Sequence, residues 1–101
     1  MDYTVRDDNG RRWATLRGQL TYDASPALAA IHAGFETGAV RECVLDLEGL
    51  DFIDSAGLGL LVVLYNCASR AGVTLKMHRP QGQVREMIEL SEFQTFIPCA
   101  F

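Results

Sequence analysis

A strand pattern that leads directly into a long helix pattern constrains the fold of this chain most. Residues 42–47 are apolar at almost every position, which is typical of an inner strand covered on both faces. After a turn from Gly49 to Asp54, residues 55–71 repeat apolar side chains at helical spacing, and Gly72 ends the helix. The residues predicted on its core side are Leu60, Leu61, Leu64, Cys67 and Ala68. A strand followed at once by such a helix favours an α/β domain.

Segments before this junction predict a hairpin and a first helix. Residues 3–6 and 13–17 alternate as strands do, and Asn9-Gly10 between them favours a tight turn with positive φ angles. Ser25-Pro26 predicts the start of a helix over residues 26–37, with Ser25 as its N-cap and Gly38 closing it.

Segments after the junction continue the alternation of strands and helices. Residues 73–77 form a strand pattern, the next helix carries a stripe of Val84, Met87 and Ile88, and Phe96-Ile97 predicts a short last strand before Pro98. The resulting order is ββαβαβαβ. Strands joined through helices run parallel with right-handed crossovers, so we expect a small, mixed, mostly parallel sheet packed on helices.

Composition limits the size of the protein and the class of its partners. The length of 101 residues supports one domain, residues 1–101, and 49% hydrophobic residues supply a core. A net charge of −4 argues against nucleic acid and anionic lipid as partners, because both are polyanions. No pattern for a cofactor or a metal is present. We therefore expect a protein partner.

Cysteines and the apolar runs indicate a cytoplasmic location. Cys43, Cys67 and Cys99 are widely spaced and odd in number, which favours buried thiols in a reducing compartment over disulfides or a zinc site. The first residues carry no signal peptide pattern, and residues 56–65, the longest apolar run, are half the length of a membrane span. We expect a soluble cytoplasmic protein that does not insert into membranes.

The tetrapeptide Asp54-Ser55-Ala56-Gly57 places a hydroxyl where the strand meets the helix. The first turn of a helix has unpaired N–H groups and a positive dipole end, so a phosphate on Ser55 would be accommodated without unfolding the helix. The alternative is that Asp54 or Ser55 simply caps the helix, and for Asp54 capping is the favoured interpretation.

With these features in their order, the chain resembles the STAS domain family (sulfate transporter and anti-sigma factor antagonist) over residues 3–98. Its closest likeness is to stand-alone anti-sigma factor antagonists, whose signature is Asp-Ser-(Ser/Ala/Thr)-Gly-Leu-Gly. The residues that carry the resemblance are Gly18, Leu20, Ala24, Leu28, Val44-Leu45-Asp46-Leu47, Leu50, Phe52-Ile53-Asp54-Ser55-Ala56-Gly57-Leu58-Gly59, Gly72 and Val84.

The resemblance implies a phosphorylation switch at Ser55. Its partners would be an anti-sigma factor that is also a serine kinase of the histidine-kinase ATPase type, and a serine phosphatase. Unphosphorylated protein would bind the anti-sigma factor and release the sigma factor, and phosphorylation would end the contact. The expected partner-binding residues are Asp23, Asp54, Ser55, Ala56, Gly57, Leu58, Gly59 and Val62.

The apolar outer side of the second predicted helix has two interpretations. It offers Leu58, Gly59, Val62, Val63 and Tyr65 where a solvated helix would carry charges. Such a surface fits either a helix wedged between the sheet and another element or an exposed docking patch. Gly57 and Gly59 would let a partner backbone approach closely, or would serve helix packing instead. For Asp23, the alternative is a solvated turn residue.

This chain also departs from the family pattern. Antagonists usually carry Gly-(Glu/Asp)-Leu-Asp after the second strand, whereas this chain has Gly18-Gln19-Leu20-Thr21, so partner choice can differ. The sequence stops at Phe101 soon after the last strand, and without the closing helix of many relatives part of the sheet would be open to self-association. A homodimer is thus one possible assembly.

Two other classes of protein compete with the antagonist. A STAS subunit of a lipid-transport ABC complex or a stress-signalling scaffold would share the fold, but such transport relatives tend to lack the acid at Asp54. An enzyme is disfavoured, because His32 and His78 complete neither a catalytic triad nor a metal set and are better explained as structural residues.

Overall fold

The computed structural model describes residues 1–101 as one sheet with three helices. The predicted order ββαβαβαβ is confirmed. Three short 3-10 turns, Tyr22–Ala24, Phe35–Thr37 and Phe93–Thr95, lie between the main elements. The strands are β1 (Asp2–Asp8), β2 (Arg11–Leu20), β3 (Glu42–Ile53), β4 (Thr74–His78) and β5 (Cys99–Ala100), and the helices are α1 (Ser25–His32), α2 (Ser55–Ala71) and α3 (Gly82–Leu90).

All five strands form a single sheet in the order β1-β2-β3-β4-β5. β1 and β2 are antiparallel, and Asn9 and Gly10 make the predicted tight turn with φ angles of 50° and 82°. The other three strand pairs are parallel, so the predicted mixed, mostly parallel sheet is confirmed. β4 pairs with β3 only as far as Asp46, whereas β2 accompanies β3 to Ile53. The carboxyl end of β3 therefore extends beyond β4.

The core lies on one face of the sheet. β3 contributes Cys43, Leu45 and Leu47 to a cluster of 23 buried residues that also contains Leu61 of α2 and Ile88 of α3. The opposite face holds Trp13, Val44 and Lys76 side by side on β2, β3 and β4. Lys76 is exposed and Trp13 half-buried, so this face is open. The prediction that β3 is covered on both faces by other elements is wrong; Val44 is buried between its strand neighbours instead.

The first helix is shorter than predicted. α1 ends at His32, and Gly34, with a φ of 83°, separates it from the 3-10 turn that Gly38 closes. Ser25 is the first helical residue, and Ala24 occupies the N-cap position without a side-chain bond. The predicted helix over residues 26–37 thus breaks at a left-handed glycine, and the predicted Ser25 cap is wrong.

Two strand boundaries also differ from the predictions. β3 continues through Gly49, where a turn was expected, because β2 follows it across two register shifts. The last strand lies after Pro98, since Cys99 pairs with Met77, while Ile97 before the proline is a buried core residue. Short apolar runs do not distinguish a strand from a buried turn.

Among the cysteines, only Cys43 is fully buried, and all three are free thiols. Burial raises the pKa of the Cys43 thiol to about 12, with a smaller opposing effect of Arg12. Cys67 and Cys99 are half-buried, which corrects the expectation of three buried thiols.

No helix of the structure combines the length and apolar character that crossing a bilayer requires.

Candidate functional site at the start of α2

The junction between β3 and α2 is held by Asp54. Its backbone is extended, with φ −111° and ψ −176°, and its Oδ1 accepts a hydrogen bond of 2.8 Å from the Gly57 N–H. Its carbonyl accepts from the Leu58 N–H at 2.9 Å. Asp54 is therefore the N-cap of α2, and the favoured interpretation of this residue is confirmed.

Ser55 is the first residue of α2 and is exposed. Because Asp54 supplies the cap, the Ser55 hydroxyl is not needed for that role. Apart from the Asp54 carboxylate, which partly offsets the positive end of the helix dipole, the first turn of the helix carries no acidic residue. The structure thus places a solvent-accessible hydroxyl where an added anion is electrostatically tolerated.

Gly57 faces the protein interior rather than a partner. A Cβ at this position would lie 2.0 Å from the Leu20 carbonyl oxygen and 2.9 Å from Cγ1 of Ile53. The absence of a side chain lets the first turn of α2 pack directly on the end of β2. The expectation that Gly57 contacts a partner is corrected, because the Leu20 carbonyl and Ile53 of the same domain occupy the space that its side chain would fill.

Gly59 differs from Gly57, since a Cβ there would meet no atom within 4 Å. It belongs to an exposed surface of small and apolar residues along α2, in which Val62 and Val63 are 37% and 52% exposed. Leu58 is half-buried and packs against the core, as do Leu60 and Tyr65. We call this exposed surface of Ser55, Ala56, Gly59, Val62 and Val63 the α2 patch.

The exposure of the α2 patch excludes one of the two interpretations of the helix. α2 packs inward through the buried residues Gly57, Leu61, Leu64 and Ala68, of which three were predicted. Leu60 and Cys67, also predicted on the core side, are only half-buried. No element covers the α2 patch, so the helix is not wedged between two layers. A contiguous exposed apolar surface on a small domain is typical of a binding site.

The turn that contains Asp23 lies beside α2. The 3-10 turn Tyr22–Ala24 directly follows Leu20, whose carbonyl is under Gly57, and this turn packs against α2. Asp23 is exposed and accepts a hydrogen bond from the Thr21 hydroxyl. Asp23 therefore lies at the same end of the sheet as Ser55.

Two exposed aromatic residues at this end of the sheet were not predicted. Tyr22 is 77% exposed beside Asp23, and Phe52 is 38% exposed three residues before Ser55. Phe52 falls within the predicted turn from Gly49 to Asp54 and in the family pattern, and no prediction covers Tyr22. Their exposure depends on the alternation of β3 and on the turn after β2, which the sequence alone does not fix.

The surface around Ser55 is not a small-molecule pocket. The clefts of the molecule lie elsewhere, one between His32 and Arg70 at the far end of α2, one beside His78, and one over Thr4 and Trp13. His32 stacks at a tilt on Phe35, and His78 meets the Trp13 ring edge-on at 5.2 Å, so both histidines are packing residues. No group of histidine, cysteine and acidic residues is placed to hold a metal ion. An open apolar surface of this kind suits a protein partner better than a small ligand.

Sequence comparison identifies the family. The STAS domain model matches residues 4–100, and the chain therefore belongs to the STAS domain family. A curated relative, BtrV of Bordetella bronchiseptica, is named as an anti-sigma factor antagonist and is 30% identical over 100 residues, covering 99% of this chain and 86% of BtrV.

Solved structures show the same fold. The anti-sigma factor antagonist SpoIIAA in its unphosphorylated form matches with a TM-score of 0.82 and 22% identity, over 99% of this chain and 89% of SpoIIAA. The phosphorylated form of SpoIIAA from Bacillus matches with a TM-score of 0.76 and 20% identity, over 99% of this chain and 92% of that chain. The predicted STAS fold is thereby confirmed.

Proposed function

We propose that this protein is an anti-sigma factor antagonist that binds an anti-sigma factor through the α2 patch and is released when Ser55 is phosphorylated. The observation that carries the proposal is the position of Ser55, an exposed hydroxyl at the border of an uncovered apolar surface. The names of the relatives BtrV and SpoIIAA support the same class of function. The partner would be a serine kinase of the histidine-kinase ATPase type, and a serine phosphatase would reverse the modification.

Phosphorylation would act on binding rather than on the fold. A phosphate adds about −1.5 to −2 charges at neutral pH. On the free protein this charge is solvated and lies at the positive end of α2, so the helix stays folded. In the complex the phosphate would be pressed against an apolar contact. Burying a charge without a matched cation costs several kcal/mol, and a loss of about 3 kcal/mol weakens binding more than a hundredfold.

The neighbouring residues would have different roles in this scheme. Ala56, Gly59 and Val62 would contact the anti-sigma factor directly, and Leu58 would contact it through its exposed part. Asp54 would keep the first turn of α2 in place, and Asp23 would add a polar contact from the adjacent turn. Gln19 and Thr21 stand where most antagonists carry acids, so Asp23 is the acid on this turn that a partner can reach.

Binding of Ser55 variants to the anti-sigma factor tests the proposal. Wild type and Ser55→Ala should recover the same kinase-type partner from native lysate, and Ser55→Asp should recover at least tenfold less. Ser25→Asp is the matched control, because Ser25 is also an exposed serine at the first position of a helix. It should bind like wild type.

Phosphate mapping provides the second readout. Incubation with the kinase encoded nearby and ATP should place phosphate on Ser55 of wild type and none on Ser55→Ala. Equal partner recovery by all the variants would refute the proposed switch. Co-purification with an ABC ATPase, with no phosphate on Ser55, would instead identify a transport-complex subunit.

A further inference from the structure

β1 leaves one edge of the sheet without a partner. It is the first strand in the order β1-β2-β3-β4-β5, it pairs only with β2, and all seven of its residues are exposed. An edge strand of this length presents a row of unpaired N–H and C=O groups, which is a template for another strand. Tyr3 and Val5 on this edge are each 38% exposed although their neighbours Leu16 and Ala14 on β2 are buried.

The hairpin geometry determines which backbone groups face outward. Next to the two-residue turn, Asp8 and Arg11 exchange both backbone hydrogen bonds, and bonded pairs then alternate with unbonded pairs along the strands. Counting back from Asp8, the residues whose N–H and C=O groups point away from β2 are Asp7, Val5 and Tyr3. These groups are available to a second strand.

The sequence of β1 complements itself in one antiparallel register. With a twofold axis at Thr4, Tyr3 of each copy faces Val5 of the other, and Asp2 of each copy faces Arg6 of the other. Both members of the Tyr3–Val5 pair have outward backbone groups, so this pair can exchange hydrogen bonds. Opposite charges and apolar pairs directly across two strands both stabilise a sheet.

Neighbouring registers lack this match. An axis at Val5 would place Asp2 opposite Asp8 and Tyr3 opposite Asp7. The first is a like-charge pair, and the second sets an aromatic ring against a carboxylate. Asp7 is also already held by Arg12 of its own chain, at 2.8 Å from Oδ1 to Nε. The acids at the end of β1 thus disfavour the register centred on Val5, and only the register centred on Thr4 sets Asp2 opposite Arg6.

We propose that two copies of this chain associate through β1, antiparallel and centred on Thr4, to form one continuous sheet. The shared edge is short and its charges are exposed, so the dimer is weak and depends on concentration and salt. The occupant of this edge is a second copy rather than an unrelated partner, because the residues of β1 complement those of β1 itself.

This arrangement leaves the α2 patch free. Ser55 follows β3, which is separated from the β1 edge by β2, so pairing along β1 does not use the α2 patch. The dimer would therefore present two copies of the patch and bind a dimeric partner with increased avidity. This last consequence rests on the proposed function, whereas the pairing itself does not.

A charge-swap experiment tests the pairing without any partner protein. Sedimentation velocity of the full chain over about 1 µM to 1 mM should show reversible dimerisation of wild type, the range in which a small interface dissociates. Asp2→Arg alone and Arg6→Glu alone each set like charges opposite one another twice and should weaken the dimer at least about tenfold. An equimolar mixture of the two variants restores both opposite-charge pairs and should dimerise nearly as well as wild type.

The double variant Asp2→Arg/Arg6→Glu gives an independent check, because it also restores both pairs and should dimerise like wild type. Circular dichroism melting curves establish that each variant is folded. A monomeric wild type up to 1 mM, or a mixture no more dimeric than either single variant, would overturn the proposal. A wild type that stays monomeric but still binds an anti-sigma factor would refute the pairing alone and leave the α2 patch proposal intact.

Discussion

The side-chain amide of Gln83 forms a two-point hydrogen bond with the backbone of Ile53. Its Oε1 accepts from the Ile53 N–H at 3.0 Å, and its Nε2 donates to the Ile53 carbonyl at 2.8 Å. β4 has stopped pairing with β3 seven residues earlier, at Asp46, so the amide takes the place of the missing strand. α3 is thereby tied to the residue that directly precedes the cap of α2.

We expect Gln83→Ala to destabilise the fold by about 1–3 kcal/mol, because it leaves two partly buried backbone groups of Ile53 without a partner. Gln81→Ala is the matched control. Its amide only donates to the Arg79 carbonyl at 3.2 Å on the surface, and the change should be within about 0.5 kcal/mol. Urea unfolding of both variants measures the difference. Equal effects would show that the Gln83 amide pair contributes nothing.

Two glycines of α2 should respond in opposite directions to the same substitution. Gly57→Ala would force a methyl group to within 2.0 Å of the Leu20 carbonyl oxygen, so the helix must shift and the protein should lose several kcal/mol. Gly59→Ala meets open space in the helix and should gain up to about 1 kcal/mol through helix propensity.

Thermal unfolding of the two glycine variants, side by side, measures this contrast. A Gly57→Ala protein as stable as wild type would contradict the close packing of α2 on β2. If Gly59 belongs to the partner surface, Gly59→Ala should also weaken binding of an anti-sigma factor while the fold becomes more stable.

The α2 helix shows what the sequence of this chain could and could not predict. The pattern of apolar residues was enough for the element order and for α2, whose predicted range of 55–71 agrees with the structure. The spacing of the apolar residues also placed Asp54 and Ser55 correctly at the junction between β3 and α2. The role of Gly57 could not be read in this way, because it depends on how closely α2 approaches the end of β2.

Contacts between distant segments account for most of the other differences. Gln83 is one polar residue in an amphipathic helix, and its bond to Ile53 exists only because β3 extends beyond β4. The position of β5 depends on pairing with Met77, which local propensity does not register. The exposure of Tyr22 and Phe52 at the Ser55 end of the sheet likewise follows from tertiary packing.

Asp7 and Arg12 should make stability depend on pH in the acid range. Arg12 donates to Asp7 at 2.8 Å, and this hydrogen bond, opposed by slight burial, lowers the pKa of the Asp7 carboxyl. A group whose pKa is lowered in the folded protein adds stability above its unfolded pKa and loses it as the pH falls through the folded pKa. The Asp7 side chain is half exposed, so the contribution is less than about 1 kcal/mol.

The free energy of unfolding of wild type should therefore exceed that of Asp7→Asn by a constant amount near neutral pH. The difference should shrink below about pH 4 and vanish in stronger acid. Arg12→Ala should cost more, about 2 kcal/mol, because Arg12 also donates to the carbonyls of Ile31 and Ala33 at the end of α1. Denaturant titrations at several pH values measure both effects, and a difference that grows in acid would contradict the assigned sign.

Asp54 offers a way to separate helix capping from chemistry at Ser55. Asp54→Ala removes the acceptor of the Gly57 N–H and should destabilise the protein by about 0.5–2 kcal/mol. Asp54→Asn keeps a capping oxygen and loses only the attraction of the carboxylate to the helix dipole, at most about 1 kcal/mol.

Because the Asp54 side chain is already bonded to Gly57, we expect Asp54→Asn to be phosphorylated on Ser55 at a rate near that of wild type. Urea unfolding and a phosphorylation time course on the same samples give both readouts. An Asp54→Asn protein that is stable but no longer phosphorylated would show instead that the negative charge of Asp54 acts directly on the Ser55 hydroxyl or on the kinase.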